Sequence, residues 1–173
     1  VNNSVYPNND KIELILSLGA NLGDRYKTLL NAVDLIGNCL LTSNLKMSSV
    51  YETEPIGILD QPNFLNMAVF GTTQFTYFEV INLIKSIEYL LSRKKRERWH
   101  EREIDIDIVF YGKKIINIPM LTIPHKEMTL RKFVLIPLSE ICPDFIHPVL
   151  NKSVKQLLEE CTDNSEIYLF QKH

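Results

Sequence analysis

Cysteine is scarce in this 173-residue chain: only Cys39, Cys142 and Cys161 occur, an odd number without metal-ligand spacing. That argues against a disulfide-built scaffold and fits free thiols in a reducing, cytoplasmic setting. Glycine and proline are sparse too, at 6 and 8 residues, so no stretch has the composition of a low-complexity or disordered region. No apolar run approaches the roughly 20 residues that cross a bilayer, and no membrane span is expected. Charge of one sign is also missing. With 19 Lys and Arg against 21 Asp and Glu the net charge is −2, which gives no global field for nucleic acid, so any anion must be held locally. The opening residues 1–10 are polar and Asn-rich without a basic region followed by an apolar run. They read as a flexible tail rather than a secretory leader, ahead of a single domain over residues 11–173.

What is present is a 45% hydrophobic chain, long enough to bury a core as one domain. Residues 12–18 form a β-branched and leucine run entering a turn at Gly19, as a buried strand does. From the N-cap candidate Asp24, apolar residues at Tyr26, Leu29, Leu30, Val33, Ile36 and Leu40 repeat at helical spacing. Residues 45–53 and 64–72 read as strands. The segment between them carries Pro55, Gly57 and Pro62, which forbid regular pairing. A loop of that length is costly to order and is therefore a candidate binding element. Thr76 can cap a second helix with Tyr77, Val80, Ile81, Ile84, Ile87 and Leu91 on one face, and residues 104–111 read as a strand. The order β-α-β-β-α-β predicts an α+β, ferredoxin-like sheet with its helices packed on one face and a C-terminal extension. That extension holds a short strand at 115–118, a helical turn or short helix at 129–135, and a last helix capped by Ser153.

The sharpest local feature is Ile104-Asp105-Ile106-Asp107-Ile108. Residues two apart on a strand share a face, so both carboxylates point one way and the isoleucines the other. Two carboxylates about 6 Å apart repel by about 3 kcal/mol at an effective dielectric of about 20, which a divalent cation relieves. Magnesium fits, since it is held by one or two carboxylates together with substrate phosphates. A solvated strand face with two unremarkable aspartates explains the same pattern. Immediately upstream, residues 93–102 bring Arg93, Arg96, Arg98, Arg102, two lysines and Trp99 next to those acids. Guanidinium groups pair bidentately with phosphate oxygens, and the combination reads as a triphosphate site. The turn at residues 19–23 lacks the spacing of a P-loop or a dinucleotide fingerprint and reads as a tight structural turn without a catalytic role.

The pieces Leu18-Gly19-Ala20-Asn21-Leu22-Gly23, Tyr51-Glu52-Thr53-Glu54-Pro55-Ile56-Gly57, Asp60-Gln61-Pro62-Asn63-Phe64-Leu65-Asn66, Arg98-Trp99, residues 102–108 and Leu121-Thr122-Ile123-Pro124-His125, in this order, resemble the hydroxymethyldihydropterin pyrophosphokinases. The resemblance runs from about residue 12 to 158. It implies transfer of pyrophosphate from ATP to 6-hydroxymethyl-7,8-dihydropterin, with ATP and the pterin as partners and a monomer as the default state. It further implies two Mg2+ ions on Asp105 and Asp107, and phosphate contacts from Arg93 and Arg102. By the same resemblance Thr53, Pro55, Ile56, Phe64, Asn66, Trp99 and Phe133 line the pterin pocket. Glu88, Arg98, Ile108, Thr122, His125 and Arg131 join Arg93 and Arg102 on the nucleotide side. The chain departs from the family at His100 and Glu101, where members have a small residue and often a proline. It also departs at Met120 and Lys126, where an arginine and a tyrosine often serve the nucleotide. Two rival readings use the same residues: a nucleic-acid-binding ferredoxin-like domain on the basic segment, and a metal-dependent phosphohydrolase on the two aspartates.

Overall fold

A computed structural model describes residues 11–172 except Ile56, Ile58, Leu59, Lys95, Glu97, Arg98 and Trp99. The expected strands and helices form in the expected order. Strand β1 (Ile12–Ala20) leads to helix α1 (Arg25–Cys39), with Asp24 accepting a hydrogen bond from Lys27 N–H as the N-cap. Strands β2 (Ser43–Met47), β3 (Tyr51–Thr53) and β4 (Phe64–Thr73) follow, then helix α2 (Tyr77–Leu90) behind a capping box between Thr76 and Glu79, and strand β5 (Asp105–Tyr111). The sheet order is β5-β1-β4-β3-β8, with β2 also on β4 and β8 (Ile167–Leu169) closing the far edge. All the strand pairings in this sheet are antiparallel.

The strand read over residues 45–53 is two strands. Ser48 follows β2, its N–H donating to Ala68 O at 3.0 Å while its Oγ, in place of a main-chain oxygen, accepts from Ala68 N–H at 2.9 Å, and the register against β4 shifts between β2 and β3. Beyond β5, strand β6 (Ile116–Ile118) pairs with β7 (Leu121–Ile123), and helices α3 (Lys132–Ile141) and α4 (Val154–Glu159) complete the fold. Ser153 caps α4 as expected, whereas α3 extends well past the short helix read at 129–135. Among the described residues, no helix is long and apolar enough to cross a membrane.

The sheet has two differently used faces. Leu14, Leu16 and Leu18 of β1, Leu65, Met67 and Val69 of β4, and Ile106 and Ile108 of β5 pack under α1 and α2 in the main core. The opposite face is expected from sequence to be bare, and half of it is not. Ile15, Ala68, Val109 and Phe110 are buried there beneath Val134, Leu135 and Leu138 of α3 and Val154 and Leu157 of α4. A register shift at Ile15/Leu16, opposite Ile108 and Phe110, makes this possible. The extra residue turns both Val109 and Phe110 to that side, although strict alternation would split them. The other half of this face stays open, and Asp105 and Asp107 are on it.

Candidate active site

Alternation along four neighbouring strands builds the open end. Asp105 of β5 lies opposite Gly19 of β1, which lies opposite Asn66 of β4; Asp107 is opposite Ser17, and Phe64 is opposite Thr53 of β3. These residues, with Glu54, Arg102 and the α3 approach residues Arg131 and Phe133, line a cleft of about 680 Å³ counted to its mouth. Gly19 therefore stands between the acids and the Phe64/Asn66 pocket, a strand on either side of it. A Cβ there would come within 3.2 Å of Asn66 Oδ1 and 3.8 Å of Phe64 Cδ1. A side chain there would crowd the Asn66 amide, and Gly19 itself lines the cleft, so the residue read from sequence as the start of a plain turn is part of the candidate site.

The acidic half is dense in charge. Asp105 accepts from Arg93 Nη2 at 2.8 Å and pairs through its other oxygen with Arg102 Nη1. Glu88 is 3% exposed, unlike the partly exposed helix-end carboxylate that its position allows. It pairs with Arg93, accepts from Ile106 N–H at 3.1 Å and from Lys85 at 2.8 Å, and so fixes both the arginine and the start of β5. Burial, and then the neighbouring Asp105 carboxylate, push the Asp107 pKa up to about 7; Arg131 and Arg93 oppose the rise. An acid pair arranged so that one member resists ionisation fits a divalent cation on both physical and chemical grounds. Among the described residues no cluster of three or more His, Cys, Asp or Glu side chains could hold a metal alone. The donor set of two hard carboxylates thus matches a cation that completes its shell with phosphate oxygens.

Of the basic run, Arg93 and Arg102 turn toward Asp105, while Arg96 is committed to Glu103 through two hydrogen bonds of 2.8 Å. That pairing is the first cause of a Glu103 pKa held down to about 2. Arg98 and Trp99 lie outside the described residues, as does Ile56 of the pterin set. Of the remaining pterin set, Thr53, Phe64, Asn66 and Phe133 meet at the cleft. Asn66 is buried and donates to Thr53 Oγ1 at 2.8 Å, and Arg131 lies over the Phe133 ring at 5.6 Å. Pro55 is buried beside them without lining the cleft.

The nucleotide set divides. His125 sits next to β5, its N–H donating to Val109 O at 3.0 Å, and its Nδ1 accepts from Glu127 N–H at 3.4 Å. Accepting at Nδ1 leaves the ring proton on Nε2. Burial, then Arg131, lower its pKa and so favour the neutral ring. Thr122 is in β7, on the same connection that leads to His125. Ile108 is 6% exposed within the α1/α2 core, on the side to which strand alternation assigns the isoleucines. Ser17, Gly19 and Glu54 were not singled out from sequence. For Ser17 and Gly19 the signal was register, which appears only once β1, β4 and β5 are paired; Glu54 follows the end of β3 and no sequence signal marked it.

A family model described as 7,8-dihydro-6-hydroxymethylpterin-pyrophosphokinase (HPPK) matches residues 15–143. The chain is 42% identical over 127 residues to the 2-amino-4-hydroxy-6-hydroxymethyldihydropteridine pyrophosphokinase of Bacillus subtilis, covering 73% of this chain and 76% of that protein. It is 38% identical over 147 residues to the same-named protein of Aquifex aeolicus, covering 85% and 91%. Among solved structures, Plasmodium falciparum HPPK-DHPS superposes with a TM-score of 0.69 at 18% identity, over 90% of this chain and 45% of the other, a likeness of fold. The chain spans less than half the length of that two-enzyme protein. An antiparallel sheet flanked by four helices, an acid pair at its open end and a model match across most of its length converge: the chain belongs to the 7,8-dihydro-6-hydroxymethylpterin-pyrophosphokinase family.

Proposed function

We propose that this chain transfers pyrophosphate from ATP to the hydroxymethyl oxygen of 6-hydroxymethyl-7,8-dihydropterin, and that the cleft between Asp105/Asp107 and Phe64/Asn66 is where it does so. The observation that carries the reading is the shared register row of Asp105, Gly19 and Asn66. This row supports the reading because a charged half and an aromatic, amide-bearing half are then about 10 Å apart across one strand. A pterin on one side and the polyphosphate of ATP on the other then meet over Gly19.

On the pterin side, Phe64 and Phe133 supply aromatic faces and Asn66 supplies an amide whose donor and acceptor match the edge of the ring. The Asn66 bond to Thr53 fixes that amide before the ligand arrives. On the ATP side, the guanidiniums of Arg93 and Arg102 are now spent on Asp105, and they exchange that carboxylate for phosphate oxygens when ATP enters. Asp105 and Asp107 are the residues that would hold Mg2+, in a two-ion arrangement with ATP. Bound there, the metal would supply charge neutralisation for the phosphates. The hydroxymethyl oxygen forms a bond to the β-phosphorus as the bond from that phosphorus to the α,β-bridging oxygen breaks, AMP leaves, and the hydroxyl proton is released to solvent. Arg102 and Arg131 line the space where that charge shifts. Most of the catalysis is positioning, with the loops before Phe64 and before Arg102 excluding water.

Incubating the protein with Mg-ATP and the hydroxymethyl pterin and identifying the nucleotide tests this reading. It predicts AMP in step with pterin pyrophosphate. ADP, or phosphate released without pterin, would contradict it and point to a simple kinase or a phosphohydrolase.

A further inference from the structure

Asn21, at the end of β1 before α1, is 1% exposed and uses both its main chain and its side chain to join two loops. Its N–H donates to Arg102 O at 3.1 Å and its Oδ1 accepts from Arg102 N–H at 2.8 Å, clamping that residue's main chain at both ends. On the other side, Nδ2 donates to Gln61 Oε1 at 3.1 Å and to Pro62 O at 3.0 Å. The amide orientation follows from chemistry, because Arg102 N–H can only donate and Pro62 O can only accept. Pro62 ends the loop that leads into Phe64, and Arg102 carries a guanidinium into the phosphate half. Arg25 holds the next residue of the same loop, donating to Asn63 O and to Glu52, both at 2.7 Å. The loop exit is therefore tethered twice, and loss of one tether displaces it without releasing it.

We infer that Asn21 is a positioning residue for pyrophosphoryl transfer: its single amide sets the pterin loop and Arg102 in one frame, so that the two substrates are held at a reacting distance. This rests on the function proposed above. No common replacement keeps the arrangement, since Asp retains the acceptor for Arg102 and loses both donors, Ala loses all three side-chain bonds and keeps only its main-chain N–H to Arg102 O, and Gln is one methylene too long.

That asymmetry supplies the test. Asn21→Asp should raise the pterin KM about tenfold, the value of one or two lost hydrogen bonds, with kcat and the ATP KM within about threefold of the parent. Asn21→Ala, which also removes the side-chain acceptor for Arg102 N–H, should add a drop in kcat of about tenfold or more. Thr73→Ala is the control: Thr73 is equally buried in β4 and bonds Leu40 O at 2.8 Å away from the cleft. It should lower the thermal midpoint without moving either KM. If Asn21→Asp leaves the pterin KM unchanged, or if all three variants shift every constant in proportion to their loss of thermal stability, Asn21 is a packing residue and the inference fails. A parent protein that makes no AMP from Mg-ATP and the pterin would instead overturn the functional reading, and the inference with it.

Discussion

Replacing Asp107 with asparagine lowers turnover by about 10²–10³-fold and, at neutral to alkaline pH without divalent cation, makes the protein more stable. The two effects share one cause. Asp107 lies at the floor of the cleft with Asp105 on the same strand face, and its carboxyl resists losing its proton because of burial first and the Asp105 charge second. A carboxyl whose folded pKa exceeds its unfolded value binds its proton more tightly in the native state. Its contribution to stability is lost as pH rises from the ordinary aspartate range, about 4, through about 7, and the ionised form then destabilises the fold. Asparagine keeps the shape and removes the charge. The thermal midpoint of the variant should exceed that of the parent by a few degrees at pH 8, with the difference closing below about pH 5. Addition of Mg2+ and ATP should reverse the order, since ligand binding stabilises only the parent substantially. Thermal melts across pH, with and without Mg-ATP, measure all of this, and a variant less stable than the parent at pH 8 in the absence of cation would show that the acid pair is not under electrostatic stress.

Arg102→Ala should cost about 10²–10³ in kcat with a smaller change in the ATP KM. Its guanidinium sits between Asp105 and the open cleft, where the negative charge of the transferring group shifts during reaction. Arg102→Lys should recover only part of the loss, because a point charge cannot bridge two phosphate oxygens as a planar fork does. Arg96→Ala supplies the contrast on the same basic segment. Arg96 is occupied by Glu103 at two contacts, so its loss should loosen the loop and alter kcat by less than about tenfold. Equal losses from Arg96→Ala and Arg102→Ala would mean that general positive charge, not the placement of Arg102, serves the reaction.

Local pattern made much of this legible before any coordinates. Alternation in Ile104-Asp105-Ile106-Asp107-Ile108 placed the acids on one face, and helical spacing behind Asp24 and Thr76 located α1 and α2 with their caps. What escaped was long-range or counter to local preference. The length of α3 was hidden by Pro137, a helix breaker on its own that tertiary packing of Val134, Leu135 and Leu138 tolerates. Strand β8 is three residues long and exists because β3 offers it an edge. The cover on the second face depends on a one-residue register shift opposite Ile15 and Leu16, which no periodicity announces. In the site, Glu88 reads as a helix-end acid until the approach of Arg93 and Ile106 N–H shows why it is buried. Gly19 and Asn21 read as turn residues because their partners, Asn66, Pro62 and Arg102, are some 40 to 80 positions away in sequence.

The metal arrangement is the claim on which the rest of the chemistry turns. Titrating Mn2+ in place of Mg2+ against the protein and an ATP analogue with a non-cleavable α,β bridge, with free Mn2+ read by electron paramagnetic resonance, counts the ions held. Two ions bound per parent chain, and one or none per Asp107→Asn chain under the same conditions, is the predicted result. Equal binding by parent and variant would contradict it.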